Sequence, residues 1–172
     1  MKTLLLLRHG KSDWDAPFDS DRERPISLRG QRAARLMGSF LSTVGAQPDV
    51  VVTSPALRAR TTVNLAAESG AWESERYQDD CLYEGTAVEM LEILKRQPQA
   101  VSTLLLAGHQ PTFSELAARL IGGGNLRIPT AAIACLELAV NEWPDIAPGC
   151  AELRWLLPPK LLKKAGWGPR QL

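Results

Sequence analysis

The 172-residue chain is the size of one ordinary domain. Its 45% hydrophobic and 23% charged residues exclude a disordered chain and allow a core built without metal or disulfide staples. Lys and Arg total 20 and Asp and Glu 19, a net charge of +1, so no global field draws the chain to nucleic acid or membrane, and any anion site must come from a few local cations.

Residues 3–7 are short, apolar and bounded by charge, which predicts a buried strand ending at Arg8-His9-Gly10. Residues 11–25 are polar, with four aspartates and two prolines, and read as a loop. Ser27 can cap a helix over residues 29–44, where Ala33, Leu36, Met37, Phe40 and Leu41 recur at helical spacing. The valines at 50, 51 and 52 predict a second buried strand over 49–53. Ser54-Pro55 then opens a helix with proline in its first turn, and Gly70 stops it.

A third strand is expected around residues 80–83, and Thr86 caps a helix that closes before Pro98. Residues 102–107 form another apolar strand, ending at Gly108-His109-Gln110-Pro111. A helix over 112–120 is broken by Gly122, Gly123 and Gly124. Residues 131–138 and 151–157 close the series as strands. The alternation predicts an α/β fold: a three-layer α/β/α sandwich with a mostly parallel sheet. Residues 1–157 form the domain, and residues 158–172 form a tail that packs on it or extends from it.

In such a fold ligands gather beyond the carboxyl ends of the strands. Both histidines of the chain, His9 and His109, directly follow buried strands, and Arg8 adjoins His9. Imidazole can act as a nucleophile when neutral, and a guanidinium forks onto phosphate oxygens at any working pH. Arg58 sits in the first turns of a predicted helix, where backbone N–H groups also favour anions.

Three elements resemble those of the histidine phosphatase superfamily, whose fold is the phosphoglycerate mutase-like sandwich. Leu7-Arg8-His9-Gly10 matches its Arg-His-Gly signature, Ser54-Pro55-Ala56-Leu57-Arg58-Ala59 its Ser-Pro…Arg-Ala element, and Gly108-His109-Gln110-Pro111 its second-histidine element, in the same order. Arg24-Pro25-Ile26-Ser27…Gly30 and Thr130-Ala131-Ala132-Ile133 are similar to elements of the small SixA-type phosphohistidine phosphatases.

The resemblance implies a metal-independent phosphatase without cofactor, working through a phosphohistidine intermediate on His9. Arg8 and Arg58 would hold phosphoryl oxygens, a protonated His109 would complete the pocket, and Arg24 would extend its positive rim. The substrate would be a phosphohistidine protein or, alternatively, a small phosphate ester such as a sugar phosphate or nucleotide; a non-catalytic phospho-ligand module is a further reading. An ester needs a proton for its leaving oxygen, and Glu84 or Asp13 is the candidate donor. Trp14 is a candidate for the substrate mouth.

Cys81, Cys135 and Cys150 are odd in number and lack metal-like spacing, so they are expected as free thiols. With no signal-peptide pattern and no long apolar run, the expected location is the cytoplasm, with neither nucleic acid nor membrane as partner. The tail, with Lys160, Lys163, Lys164 and Trp167, is expected to fold back on the domain with its lysines solvated.

Overall fold

The structure is a computed structural model that describes residues 1–168. Six strands form one sheet: β1 (Lys2–Arg8), β2 (Val50–Thr53), β3 (Glu75–Gln78), β4 (Thr103–Gly108), β5 (Ile133–Leu138) and β6 (Ala151–Leu157). Their order is β3-β2-β4-β1-β5-β6. The first four pair in parallel, and only β5 runs against its neighbours. The fold is the phosphoglycerate mutase-like α/β sandwich.

Alternation along the strands divides the core in two. Leu4 and Leu6 of β1, with Val50, Val52, Leu104 and Leu106, face one layer; Leu5, Leu7, Val51 and Leu105 face the other. The first layer holds α4 (Ala87–Lys95) and α5 (Thr112–Leu120). The second holds α1 (Leu28–Thr43) and α2 (Leu57–Gly70). Because the central strands are covered on both faces, they read as unbroken apolar runs.

Local chemistry sets the ends of these helices. Ser27 caps α1 by accepting from the Gly30 N–H, and Thr86 with Glu89 forms a full capping box on α4, a device worth about 1 kcal/mol. α1 and α2 approach closely at Gly38, where a Cβ would collide with the backbone of Ala66. The expected stop at Gly70 is the last helical residue, but the left-handed residue that ends α2 is Ala71, at φ +48°. Gly70 is needed for space instead, since a Cβ there would lie 2.6 Å from the Gly38 carbonyl oxygen.

Two expectations are corrected. Residues 80–83 are not a strand: α3 (Cys81–Glu84) is a single helical turn, started by the Asp79 carboxylate accepting from the Cys81 N–H and anchored by buried Leu82. The edge strand is β3, five residues earlier, whose Glu75, Arg76, Tyr77 and Gln78 are all exposed and so carry no alternation to read. Pro55 also lies before α2 rather than in its first turn.

After β6, α6 (Pro159–Lys164) returns toward α1, with Leu162 buried in the second layer and Trp167 edge-on to Phe40 at 5.6 Å. Tail residues 169–172 lie outside the described residues. Among the described residues, no helix is long and apolar enough to cross a membrane.

Candidate active site

Parallel pairing brings the ends of β1, β2 and β4 to one edge of the sheet. Arg8 is level with Gly108 and Thr53 with Ala107, so His9, Ser54 and His109 emerge side by side. The centrally placed β4 puts His109 between the other two ends. The His9 and His109 rings lie 5.0 Å apart, centroid to centroid.

The backbone around His9 is held from several sides. Its N–H donates to the Gly108 carbonyl, and the Ala131 N–H donates to the carbonyls of Arg8 and His9. The Gly10 N–H donates to Thr62 Oγ1, which donates in turn to the Arg58 carbonyl. This couples the loop after β1 to the first turn of α2. Gly10 lies flat against Gly30, and a Cβ on Gly30 would come 2.6 Å from the Lys11 carbonyl oxygen. Glycine at position 30 is therefore a spatial requirement, and a Cβ at position 10 would be tightly confined, 3.0 Å from the Gly30 carbonyl oxygen.

His9 is buried, and its Nδ1 lies 2.7 Å from the Gly10 carbonyl oxygen. A carbonyl only accepts, so Nδ1 carries the proton and Nε2 keeps the lone pair. Burial foremost, and then the charges of Arg58, Arg8 and Arg24, lower the His9 pKa to about 4 against the upward pull of the Gly10 carbonyl. For His109, burial followed by His9 and Arg58 lowers the pKa to about 3. Its Nε2 pairs with Ser54 Oγ at 2.8 Å, while Ser54 Oγ also accepts from the Ala56 N–H. With its pKa so lowered, His109 favours the neutral ring until an anion enters the site.

The cations converge as well. Arg58 and Arg24 are buried, at 5% and 8% exposure, and both pair with the carboxylate of Asp21. Arg58 donates to Oδ2 at 2.9 Å and to the Asp21 carbonyl at 2.6 Å, and Arg24 donates to Oδ1 at 2.6 Å. Tyr83 also donates its hydroxyl to Oδ2. Burial opposes ionisation of Asp21, but these hydrogen bonds and the Arg58 charge hold its carboxyl at about 2.

Arg8 donates to the Ile128 carbonyl. Burial and then Arg127 lower its pKa from a value high enough that the guanidinium stays charged. Among the described residues, the buried Nε atoms of Arg8 and Arg58 and the Ser12 hydroxyl have no hydrogen-bond partner. Buried donors left unpaired are costly, so they mark a place built for an acceptor.

Together these groups line a cavity of about 550 Å³ that contains Arg8, His9, Arg24, Arg58, Glu84 and His109. Trp14 lines it too, with the Arg24 guanidinium stacked 3.7 Å from its ring centroid. Glu84 is exposed at the rim, with no ion pair or hydrogen bond to its carboxylate among the described residues. Asp13 does not line the cavity; its carboxylate accepts from the Asp15 N–H. Asp21, Tyr83 and Thr62 carried no role in the sequence reading, and Ser54 only its place in the Ser-Pro element. Asp21 had one available signal, its place three residues before Arg24 in an otherwise loop-like stretch.

A fold with two facing imidazoles ringed by guanidiniums defines a class of phosphoryl-handling enzymes. Residues 4–123 match the model of the histidine phosphatase superfamily, branch 1, and the chain belongs to that family. It is accordingly a phosphatase. An uncharacterised protein of Mycobacterium tuberculosis is 36% identical over 157 residues, covering 86% of this chain and 96% of the relative. The solved protein histidine phosphatase SixA complexed with tungstate superposes with a TM-score of 0.81 at 26% identity, covering 93% of this chain and 99% of that one. A structure from Nakamurella multipartitia, described as a candidate SixA phosphohistidine phosphatase, gives 0.80 at 29% identity, covering 91% and 96%.

Proposed function

We propose that this phosphatase removes the phosphoryl group from phosphohistidine on proteins, through a phosphohistidine intermediate on His9. The observation that carries the reading is the facing pair His9 and His109 at 5.0 Å, with Arg8, Arg24 and Arg58 lining the same cavity. Phosphoryl transfer asks mainly for positioning and for neutralisation of spread negative charge, and this arrangement supplies both without calling on a metal.

Neutral His9 attacks phosphorus with Nε2 as the bond from phosphorus to the substrate nitrogen breaks. If the substrate ring enters protonated on its other nitrogen, it leaves as neutral imidazole. Water then attacks the phosphoryl group on His9, loses a proton, and releases phosphate and the neutral ring. Arg8 and Arg58 hold the phosphoryl oxygens, with Arg24 beside them. The dianion raises the pKa of His109, which takes up a proton as charge builds and completes the cradle. Ser54 fixes its ring through the 2.8 Å contact.

The likeness to SixA structures over nearly the whole chain supports the protein substrate. So does the solvated position of Glu84, because a neutral imidazole leaving group needs no carboxylic acid. The second reading, a phosphomonoesterase for small esters, draws on Glu84 lining the same cavity, where it would protonate the leaving oxygen.

The test is phosphate release from a histidine-phosphorylated protein and from a panel of esters, with His9→Ala as control. Turnover of the phosphohistidine protein should fall at least ~10³-fold in the variant, and the wild type should trap acid-labile, alkali-stable phosphate on His9. Near-normal turnover by His9→Ala would overturn the mechanism. Release from esters alone would transfer the function to the second reading.

A further inference from the structure

A second recess, of about 650 Å³, adjoins the first and shares Lys11 and Thr130 with it. It lies between the first turns of α1 and the start of α6. Lys11, Arg29, Lys160, Lys163 and Lys164 rim it, and no carboxylate lines it. All five cations are exposed, and none pairs with an acid among the described residues. The rest of its wall is mostly apolar: Ala33, Pro129, Pro158, Pro159 and Leu161, the last 52% exposed. In a chain of net charge +1, five unopposed cations in one recess are a local concentration, not an overspill of global charge.

We propose that this cleft docks an acidic, partly apolar segment of the phosphoprotein substrate beside its phosphohistidine. The proposal rests on the protein-substrate reading above and deepens it. Two features point to a protein segment over a small polyanion. The cations are long, flexible and spread around a rim, which suits several carboxylates better than one compact phosphate. The apolar wall would also be wasted on a small polyanion, whereas an acidic segment with interspersed apolar side chains meets both rim and wall. The shared Lys11 and Thr130 set the cleft next to the catalytic pocket, so one partner can reach both.

The test uses the full chain and the variant Lys160→Glu/Lys163→Glu/Lys164→Glu, which changes only exposed residues outside the catalytic pocket. The probes are an acidic protein phosphorylated on histidine with phosphoramidate, a basic protein phosphorylated in the same way, and free phosphohistidine. The reversal should lower kcat/KM for the acidic protein by about 10-fold or more, chiefly through KM. It should leave free phosphohistidine within about 2-fold, which also reports an intact fold, and it should not impair the basic protein. A milder Lys→Ala triple should fall between, at about 3-fold.

Equal turnover of the acidic protein by wild type and variant would overturn the docking site while leaving the substrate reading intact. A wild type that releases no phosphate from either protein would overturn the substrate reading and the docking site with it. Loss of binding to vesicles of anionic phospholipid, or of turnover on a small bisphosphate, with the acidic protein unaffected, would overturn the proposal in favour of those occupants.

Discussion

Beside His9 the arginines are buried or half-buried and tied down; one wall away the cations are exposed and have no carboxylate facing them. Arg24 and Arg58 are held by Asp21, and Arg8 by the Ile128 carbonyl, so their donors are aimed before any ligand arrives. Lys160, Lys163 and Lys164 keep their rotamer freedom on an apolar shelf. The first arrangement suits one anion of fixed geometry and resists salt, because buried groups are poorly screened. The second suits a diffuse, sequence-tolerant partner and is screened readily. Asp21 sharpens the contrast: it occupies the guanidiniums that an incoming phosphoryl group would need, so substrate must compete with an internal carboxylate in the pocket but with none in the cleft.

The largest effect that should break this comparison is Arg58→Ala. It removes a preorganised buried cation, and kcat/KM should fall by about 10²–10³-fold on both free and protein-bound phosphohistidine. A loss under about 3-fold in steady-state assays would mean that the pocket does not work by fixed charge. Next comes salt. Between about 50 and 500 mM NaCl, kcat/KM for an acidic phosphoprotein should drop roughly 5- to 10-fold, while free phosphohistidine changes less than about 2-fold. Parallel salt curves for the two substrates would erase the distinction between the recesses.

Acid should separate the pocket from the rest of the fold. His9 titrates near 4, so the acid limb of kcat/KM should lie near that value and not near 6.5. For stability, the folded pKa values of about 4 and 3 for His9 and His109 lie below the unfolded 6.5. As pH falls from 6.5 toward 4, the unfolded chain binds protons that the folded chain refuses, and stability declines. The depressed Asp21 carboxyl acts lower, losing its contribution only as pH falls from 3.8 through about 2. His109→Asn should therefore shrink the fall in Tm between pH 6.5 and 4.5. An unchanged fall would show that the ring is not held neutral against its tendency to protonate.

The smallest effect is expected at the rim. Glu84→Gln should change phosphohistidine turnover by less than about 2-fold, since its carboxylate is solvated and the leaving imidazole needs no acid. A 10-fold loss confined to esters would instead make Glu84 a working proton donor.

The strands and helices that carry the pocket were legible because they are driven locally. Unbroken apolar runs such as Leu4-Leu5-Leu6-Leu7 can only be covered on both faces, and the caps at Ser27 and Thr86 are short-range chemistry. The failures fell where tertiary context decides. Glu75–Gln78 is a strand only because β2 offers it an edge, and Cys81–Glu84 coils because Asp79 starts the turn and Leu82 finds the core. Arg8, His9 and His109 announced themselves at strand ends, and Arg58 through its resemblance to the Ser-Pro…Arg-Ala element. Asp21 and Tyr83 did not, since each matters only through a partner 37 to 62 residues away.

Taken alone, the sequence determined the layered α/β class and the chain order of its buried strands, because hydrophobic period is a property of the residues themselves; it marked two histidines and two arginines as candidates through their resemblance to a family. The tertiary structure alone decided that β4 lies between β1 and β2, that burial works against protonation of both imidazoles, that a carboxylate from the loop occupies the guanidiniums, and that a lysine-rimmed cleft opens beside the pocket. Those outcomes depend on distance and burial, which set electrostatic energies and which no order of residues states directly.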